Sequence, residues 1–154
     1  MKRELDELLC SRYPKIFQDR NAPITQTCMG WGFDCGDGWF DLIDTLCERL
    51  QFSTDRVDAP QVVAAQVKEK FGELRFYVQS ATDEQRGMID MAEAMSERIC
   101  EECGKPGTLL VAGAYMTRCP EHAPEGAITA KEWEKSQLEK REKRAQDKRS
   151  PFRP

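Results

Sequence analysis

The chain has one histidine, His122, in 154 residues. A Ser-His-Asp triad needs that residue, and so does a metal site with an imidazole ligand, so one use excludes the other. It lacks an apolar run of the roughly 18 residues that a membrane span requires. It lacks an apolar leader: Met1-Lys2-Arg3-Glu4-Leu5-Asp6-Glu7-Leu8 is charged and helix-periodic, so no signal peptide and a cytoplasmic location are expected. There is no internal repeat. A nucleophile elbow and a phosphate loop are also missing. Gly30-Trp31-Gly32 imitates a dinucleotide fingerprint, but no strand-like run precedes it and the third glycine is misplaced.

Cysteine is what the sequence has in number. Seven are present: Cys10, Cys28, Cys35, Cys47, Cys100, Cys103 and Cys119. An odd count in a chain without secretory signals favours metal binding or plain burial over a disulfide framework. Cys100-Glu101-Glu102-Cys103 is a C-x2-C turn, and Cys119-Pro120-Glu121-His122 is a C-x2-H turn. Two residues between ligands let a tight turn aim both side chains at one point. The segment 108–118 reads as two short strands around Ala112-Gly113, which brings the pairs together. Cys100, Cys103, Cys119 and His122 therefore form a Cys3His set, closed and structural, suited to one Zn²⁺. Cys10, Cys28, Cys35 and Cys47 are spaced poorly for a second site and read as buried free thiols.

Charge divides the chain. Residues 139–154 carry seven basic and three acidic side chains, a net of +4, while residues 1–138 carry a net of −8. The basic group Lys140, Arg141, Lys143, Arg144, Lys148 and Arg149 is a candidate for nucleic-acid contact, or simply a solvated terminal helix. Beyond Leu138 that helix has almost no apolar face, and Pro151 is expected to end it.

Periodicity gives an α+β fold: helices packed on a small antiparallel hairpin sheet, a zinc ribbon-like subdomain and a charged C-terminal helix. The divisions are 1–99, 100–123 and 124–154. Helices are predicted over about 3–12 and 38–51, the second with Asp37 as N-cap and Trp39, Leu42, Ile43, Leu46, Cys47 and Leu50 on one face. Residues 13–37 look irregular and 52–60 read as a loop. Two antiparallel strands are expected at about 61–69 and 73–79, with Gly72 in the turn. Thr82 to Gln85 and Thr129 to Glu132 are capping boxes, the second with Ile128 and Trp133 placed as a hydrophobic staple. Met88, Met91 and Met95 share a stripe with Ala92 and Ile99; core filling is its commoner meaning, an adaptable binding surface the alternative.

Partner-binding candidates come from the glycine-rich loop and the helix after it. Trp31 and Phe33 are aromatic anchors, or else plug the core. Asp34 neighbours them. Asp37, Asp41, Asp44 and Glu48 are spaced 4, 3 and 4 apart, an acidic stripe suited to a basic groove or an ordinary solvated face.

Three segments occur in a telling order: Met29-Gly30-Trp31-Gly32-Phe33-Asp34-Cys35-Gly36-Asp37-Gly38-Trp39, then Gln66 to Tyr77 with Lys70-Phe71-Gly72-Glu73, then Cys100 to Gly107 with Cys119 to His122. The order resembles a group of small uncharacterised phage, prophage and bacterial proteins. The resemblance spans about residues 13–123 and leaves out the basic tail. It implies a bacterial or phage-infected cytoplasm and a zinc-binding end, and it supplies no catalytic residues. The function expected is a non-enzymatic, zinc-stabilised module that binds and modulates or inhibits a host or bacterial protein complex, a defence system such as CRISPR included. The alternatives are a nucleic-acid-binding regulator using the zinc subdomain and tail, and, last, a metal-dependent enzyme.

Overall fold

The computed structural model describes residues 1–57 and 59–149. Its order is α1 (Arg3–Arg12), β1 (Phe33–Asp34), α2 (Phe40–Val57), β2 (Ala64–Lys70), β3 (Glu73–Val78), α3 (Asp83–Ser96), β4 (Thr108–Ala112), β5 (Ala114–Arg118), β6 (Ile128–Thr129) and α4 (Ala130–Arg149). This is an α+β fold with two three-stranded sheets, ordered β1-β2-β3 and β5-β4-β6. No helix among the described residues is long and apolar enough to cross a membrane. The expected stop at Pro151 lies outside the described residues.

The first sheet is mixed rather than purely antiparallel. β2 and β3 form the expected hairpin, with Lys70 opposite Glu73. β1 joins β2 in parallel, Phe33 opposite Val67. A two-residue strand carries no periodicity, so the segment 13–37 showed no sign of it. That segment is not loose. It folds into short 3-10 turns at Gln18–Asn21 and Cys28–Trp31. Thr27 stabilises the second turn twice, accepting from the Met29 N–H at 3.2 Å and donating to the Ala65 carbonyl at 3.1 Å. Ala65 lies where the β2–β3 register shifts, which leaves its carbonyl outside the ladder.

α2 starts later and ends later than expected. A 3-10 turn at Asp37–Trp39 precedes it, and residues 52–57 extend it into the predicted loop. No glycine or proline interrupts the chain before Pro60, and the Thr54 hydroxyl bonds the Leu50 carbonyl at 3.2 Å. Asp37 is not an N-cap. Its carboxylate accepts the Lys2 backbone N–H at 2.7 Å and pairs with the Lys2 ammonium at 3.0 Å.

Trp39, Leu9, Ile16, Met29, Ile43, Leu50, Val67 and Leu74 are fully buried at the centre. Phe17 meets Phe33 and Phe76 edge-on, at ring distances of 5.0 and 6.3 Å. Both capping boxes form. Thr82 and Gln85 exchange bonds of 2.9 and 3.2 Å, and Thr129 and Glu132 bonds of 2.8 and 3.2 Å. Gln85 is fully buried, and its amide also donates to the Pro60 carbonyl at 3.0 Å, tying α3 to the chain after α2.

The β2–β3 turn joins the two sheets. Phe71 and Gly72 both have positive φ, 57° and 81°, the pairing that a tight two-residue hairpin demands. A Cβ on Gly72 would lie 3.0 Å from the Met116 backbone nitrogen. The Gly72 carbonyl accepts from the buried Thr117 hydroxyl at 2.7 Å. The tip of one hairpin thus sits on the flank of the other. The second sheet takes in Ile128–Thr129, since β6 pairs with β4, so it runs beyond residue 123.

Candidate metal centre

The chain leaves α3 at Ser96 and enters a tight turn almost at once. Gly104 N–H bonds the Cys100 carbonyl at 2.8 Å, and Cys100 N–H bonds the Lys105 carbonyl at 2.8 Å. This folds Cys100 and Cys103 toward one side. After β5 a second turn closes with His122 N–H on the Cys119 carbonyl at 3.0 Å. The β4–β5 ladder, which pairs Thr108 with Arg118, sets the two turns side by side.

The result is a four-residue cluster. One ligand atom from each of Cys100, Cys103, Cys119 and His122 lies within 4.8 Å of all the others. Cys103 Sγ is 3.7 Å from Cys119 Sγ, and His122 Nδ1 is 3.6 Å from Cys100 Sγ and 3.3 Å from Cys119 Sγ. A tetrahedron with metal–sulfur bonds of about 2.3 Å and a metal–nitrogen bond of about 2.0 Å has S–S edges of about 3.8 Å and S–N edges of about 3.5 Å. Those three spacings lie close to such edges, and all four ligand atoms lie within 4.8 Å of one another, so the cluster could hold one metal ion. Cys100 and Cys119 are buried, and Cys103 and His122 face solvent.

The thiols differ in acidity. Burial opposes ionisation of Cys100, but backbone N–H groups of Cys119, Cys103 and Glu102, with His122, more than offset it and bring the thiol down to about 6. A sulfur that accepts backbone N–H bonds is prepared as a thiolate ligand. For Cys103 the Lys105 N–H favours the thiolate, while desolvation and the neighbouring Cys100 and Cys119 sulfurs prevail and raise it. Cys10, Cys35 and Cys47 are raised instead. Burial pushes Cys35 up to about 12, and burial with the nearby Asp6 carboxylate does the same to Cys10. Cys47 is raised well above its ordinary value by burial. Cys35 and Cys47 are buried, as expected, whereas Cys10 and Cys28 are half-buried.

The glycine-rich loop packs on this cluster, a relation the sequence pattern did not disclose. Gly38 N–H bonds the Glu101 carbonyl at 2.7 Å, and Gly36 N–H bonds the Glu101 carboxylate at 2.9 Å. A Cβ on Gly38 would overlap the Cys100 carbonyl and lie 2.6 Å from the Cys103 backbone nitrogen. A Cβ on Gly36 would lie 2.8 Å from the Glu101 side chain. Only glycine permits backbone to approach backbone so closely. The Trp39 indole N–H donates to the Ile99 carbonyl at 2.9 Å, just before the first ligand. Arg118, the residue before Cys119, holds Glu101 at 2.8 Å and Glu102 at 3.0 Å. The signal available in sequence was the Gly-Asp-Gly-Trp spacing, which marks a close approach without naming what approaches.

The other candidates separate. Phe33 is 5% exposed and belongs to the core, which removes it from any surface role. Trp31 is 67% exposed, and Asp34 is exposed beside it in sequence. The acidic stripe is interrupted. Asp37 is tied to Lys2, and Asp44 is tied to Arg12 at 2.8 Å. Asp41 and Glu48 stay exposed, and neither has an ion-pair partner among the described residues. Lys140, Arg141, Lys143 and Arg144 are exposed on α4, while the side chains of Lys148 and Arg149 lie outside the described residues. The methionine stripe is only partly core: Met91 is 63% and Met95 46% exposed.

Fold and cluster together define a small α+β protein with a Cys3His turn pair that could hold a metal ion. No family model, curated protein or solved structure matches the chain.

Replacing Gly38 with alanine tests the docking. The added methyl group displaces the Cys100–Cys103 turn, so G38A is expected to lower stability by about 2 kcal/mol or more in denaturant melts and to lose metal faster to a chelator. Unchanged stability and unchanged metal release would contradict the packing described.

Proposed function

We propose that Cys100, Cys103, Cys119 and His122 hold one structural Zn²⁺, and that the chain is a non-enzymatic protein-interaction module of the phage or prophage type. Three thiolates and one imidazole are the donor set of a closed structural zinc site, with no position left for a reacting water. Bound there, Zn²⁺ supplies a cross-link between two turns that have little apolar surface of their own. The one histidine is then a ligand, and Cys10, Cys35 and Cys47 stay protonated near neutral pH, which supports a non-enzymatic role.

The observation that carries the interaction reading is Trp31. It stands two-thirds exposed on a turn whose other parts are held firmly. Met29 is fully buried below it, Thr27 caps the turn, and Phe33 anchors the next residues in the core. Ile24, also exposed, lies against Gly30. A rigid, exposed tryptophan loses little conformational freedom on binding and is a common interface anchor. The partner we propose is a host or bacterial macromolecular complex, such as a CRISPR-type defence complex, met in the cytoplasm and inhibited there. That identity rests on the motif resemblance. Exposed Asp34 and Glu48, on a body with a net charge of −8 over residues 1–138, suit a basic partner surface.

The exposed Lys140, Arg141, Lys143 and Arg144 favour a second reading, nucleic-acid binding along α4. It requires affinity that falls steeply with salt.

Two outcomes are expected. Elemental analysis of purified protein finds about one zinc per chain, and Cys103→Ser loses most of it; metal-free protein with an intact fold would refute the site. Trp31→Ala recovers the partner from host lysate at least tenfold less well than wild type, with an unaltered melting temperature. Equal recovery would overturn the interaction reading. Salt-sensitive retardation of DNA or RNA by both proteins would favour the second.

A further inference from the structure

α2 and α3 leave an apolar groove open to solvent on the side away from the sheet. They pack antiparallel. The start of α2 lies by the end of α3, where Trp39 bonds Ile99, and Gln85 at the start of α3 bonds Pro60 just beyond α2. Leu42, Leu46, Met88, Met91, Met95 and Ile99 line a groove of about 400 Å³. Two methionines stand well exposed along it, an unusual placement for large apolar side chains at successive turns.

The charges at its edges are the informative feature. Asp41 lines one end and Arg49 the other, with the small Thr45 midway. Eight residues of helix separate them, about 12 Å along the axis. Neither has an ion-pair partner among the described residues. The Arg49 guanidinium lies over the Phe52 ring at 4.5 Å, which fixes its position at that end. An apolar strip with opposite unpaired charges equidistant from a neutral centre is complementary to itself when turned end for end.

We propose that the occupant of this groove is a second copy of the chain. A two-fold axis beside Thr45 sets Asp41 against Arg49 of the other copy, and Arg49 against its Asp41, while the two methionine ridges cover each other. Isologous contacts of this kind form the commonest soluble oligomers. Methionine suits the seam because its unbranched chain repacks to fill irregular gaps. The face spans roughly 20 Å by 20 Å from helix length and spacing, about 800 Å² over both copies, the size of a weak and transient contact, so the association is expected to depend on concentration. The proposal is independent of the Trp31 reading.

Sedimentation equilibrium on the full metal-loaded chain tests it. Wild type is expected to be dimeric at about 100 µM and to dissociate on dilution. Asp41→Arg alone and Arg49→Asp alone place like charges opposite each other, and each is expected to weaken association at least tenfold. An equimolar mixture of the two variants restores both pairs and should recover wild-type dimerisation. Met91→Glu, a surface change that leaves the core intact, should give monomer throughout. Wild type monomeric at about 100 µM, charge variants that associate normally, or a mixture that fails to recover would each overturn the proposal. Partner capture measured in parallel with Trp31→Ala keeps the two failures distinct.

Discussion

Two pieces of backbone in contact hold this structure together. The Gly36-Asp37-Gly38 segment lies directly on the Cys100–Gly104 turn, backbone against backbone at Gly38 and against the Glu101 side chain at Gly36. Each piece is weak alone. The turn has few apolar residues with which to order itself, and the loop has only 3-10 turns and a two-residue strand. Their union satisfies backbone donors that would otherwise be buried without partners, at about 1 kcal/mol net for each bond made and more for each donor stranded. Glu101 concentrates the arrangement. Its carbonyl and its carboxylate each accept an N–H from the loop, and Arg118 neutralises its charge from the adjoining strand.

The consequences spread outward from that contact. Trp39 is aimed at Ile99 only because Gly38 is seated, and Trp39 is the largest fully buried side chain. It closes the 3-10 turn that leads into α2, whose Ile43, Leu46 and Leu50 join the same core. On the other side, the Gly72 turn of the first hairpin rests against Met116 and Thr117 of the second. The Cys3His region is therefore attached at two places, once through the loop and once through the hairpin tip. This gives a physical reason for the cluster to matter to the fold: it adjoins the contacts that position elements far from its four residues.

Much of this was legible from residue order because the signals were local. The capping boxes at Thr82 and Thr129 need only residues three apart. The Phe71-Gly72 turn needs only two alternating strands on either side. The Cys3His set announces itself by two short spacings and one intervening hairpin. What stayed hidden depends on parts of the chain distant in sequence. Trp31 and Phe33 look equivalent as neighbours, and only the position of Phe17 decides that Phe33 is core and Trp31 is not. Asp37 has the chemistry of an N-cap, yet Lys2, 35 positions away, claims its carboxylate. Asp44 sits on a regular acidic stripe, and Arg12 removes it from that stripe. The methionines share a helical face with true core residues. Their exposure follows from the absence of any described element over that side of α2 and α3.

The central claim is that metal ligation and loop docking are one cooperative unit. Hydrogen exchange, measured on the metal-loaded chain and again after chelation, tests it most directly. The account predicts that residues 33–42 lose protection together with residues 100–122 when the metal is removed, while the amides shared by β2 and β3 keep theirs. Retained protection at Gly36 and Gly38 after residues 100–122 have become fully exchangeable would contradict it.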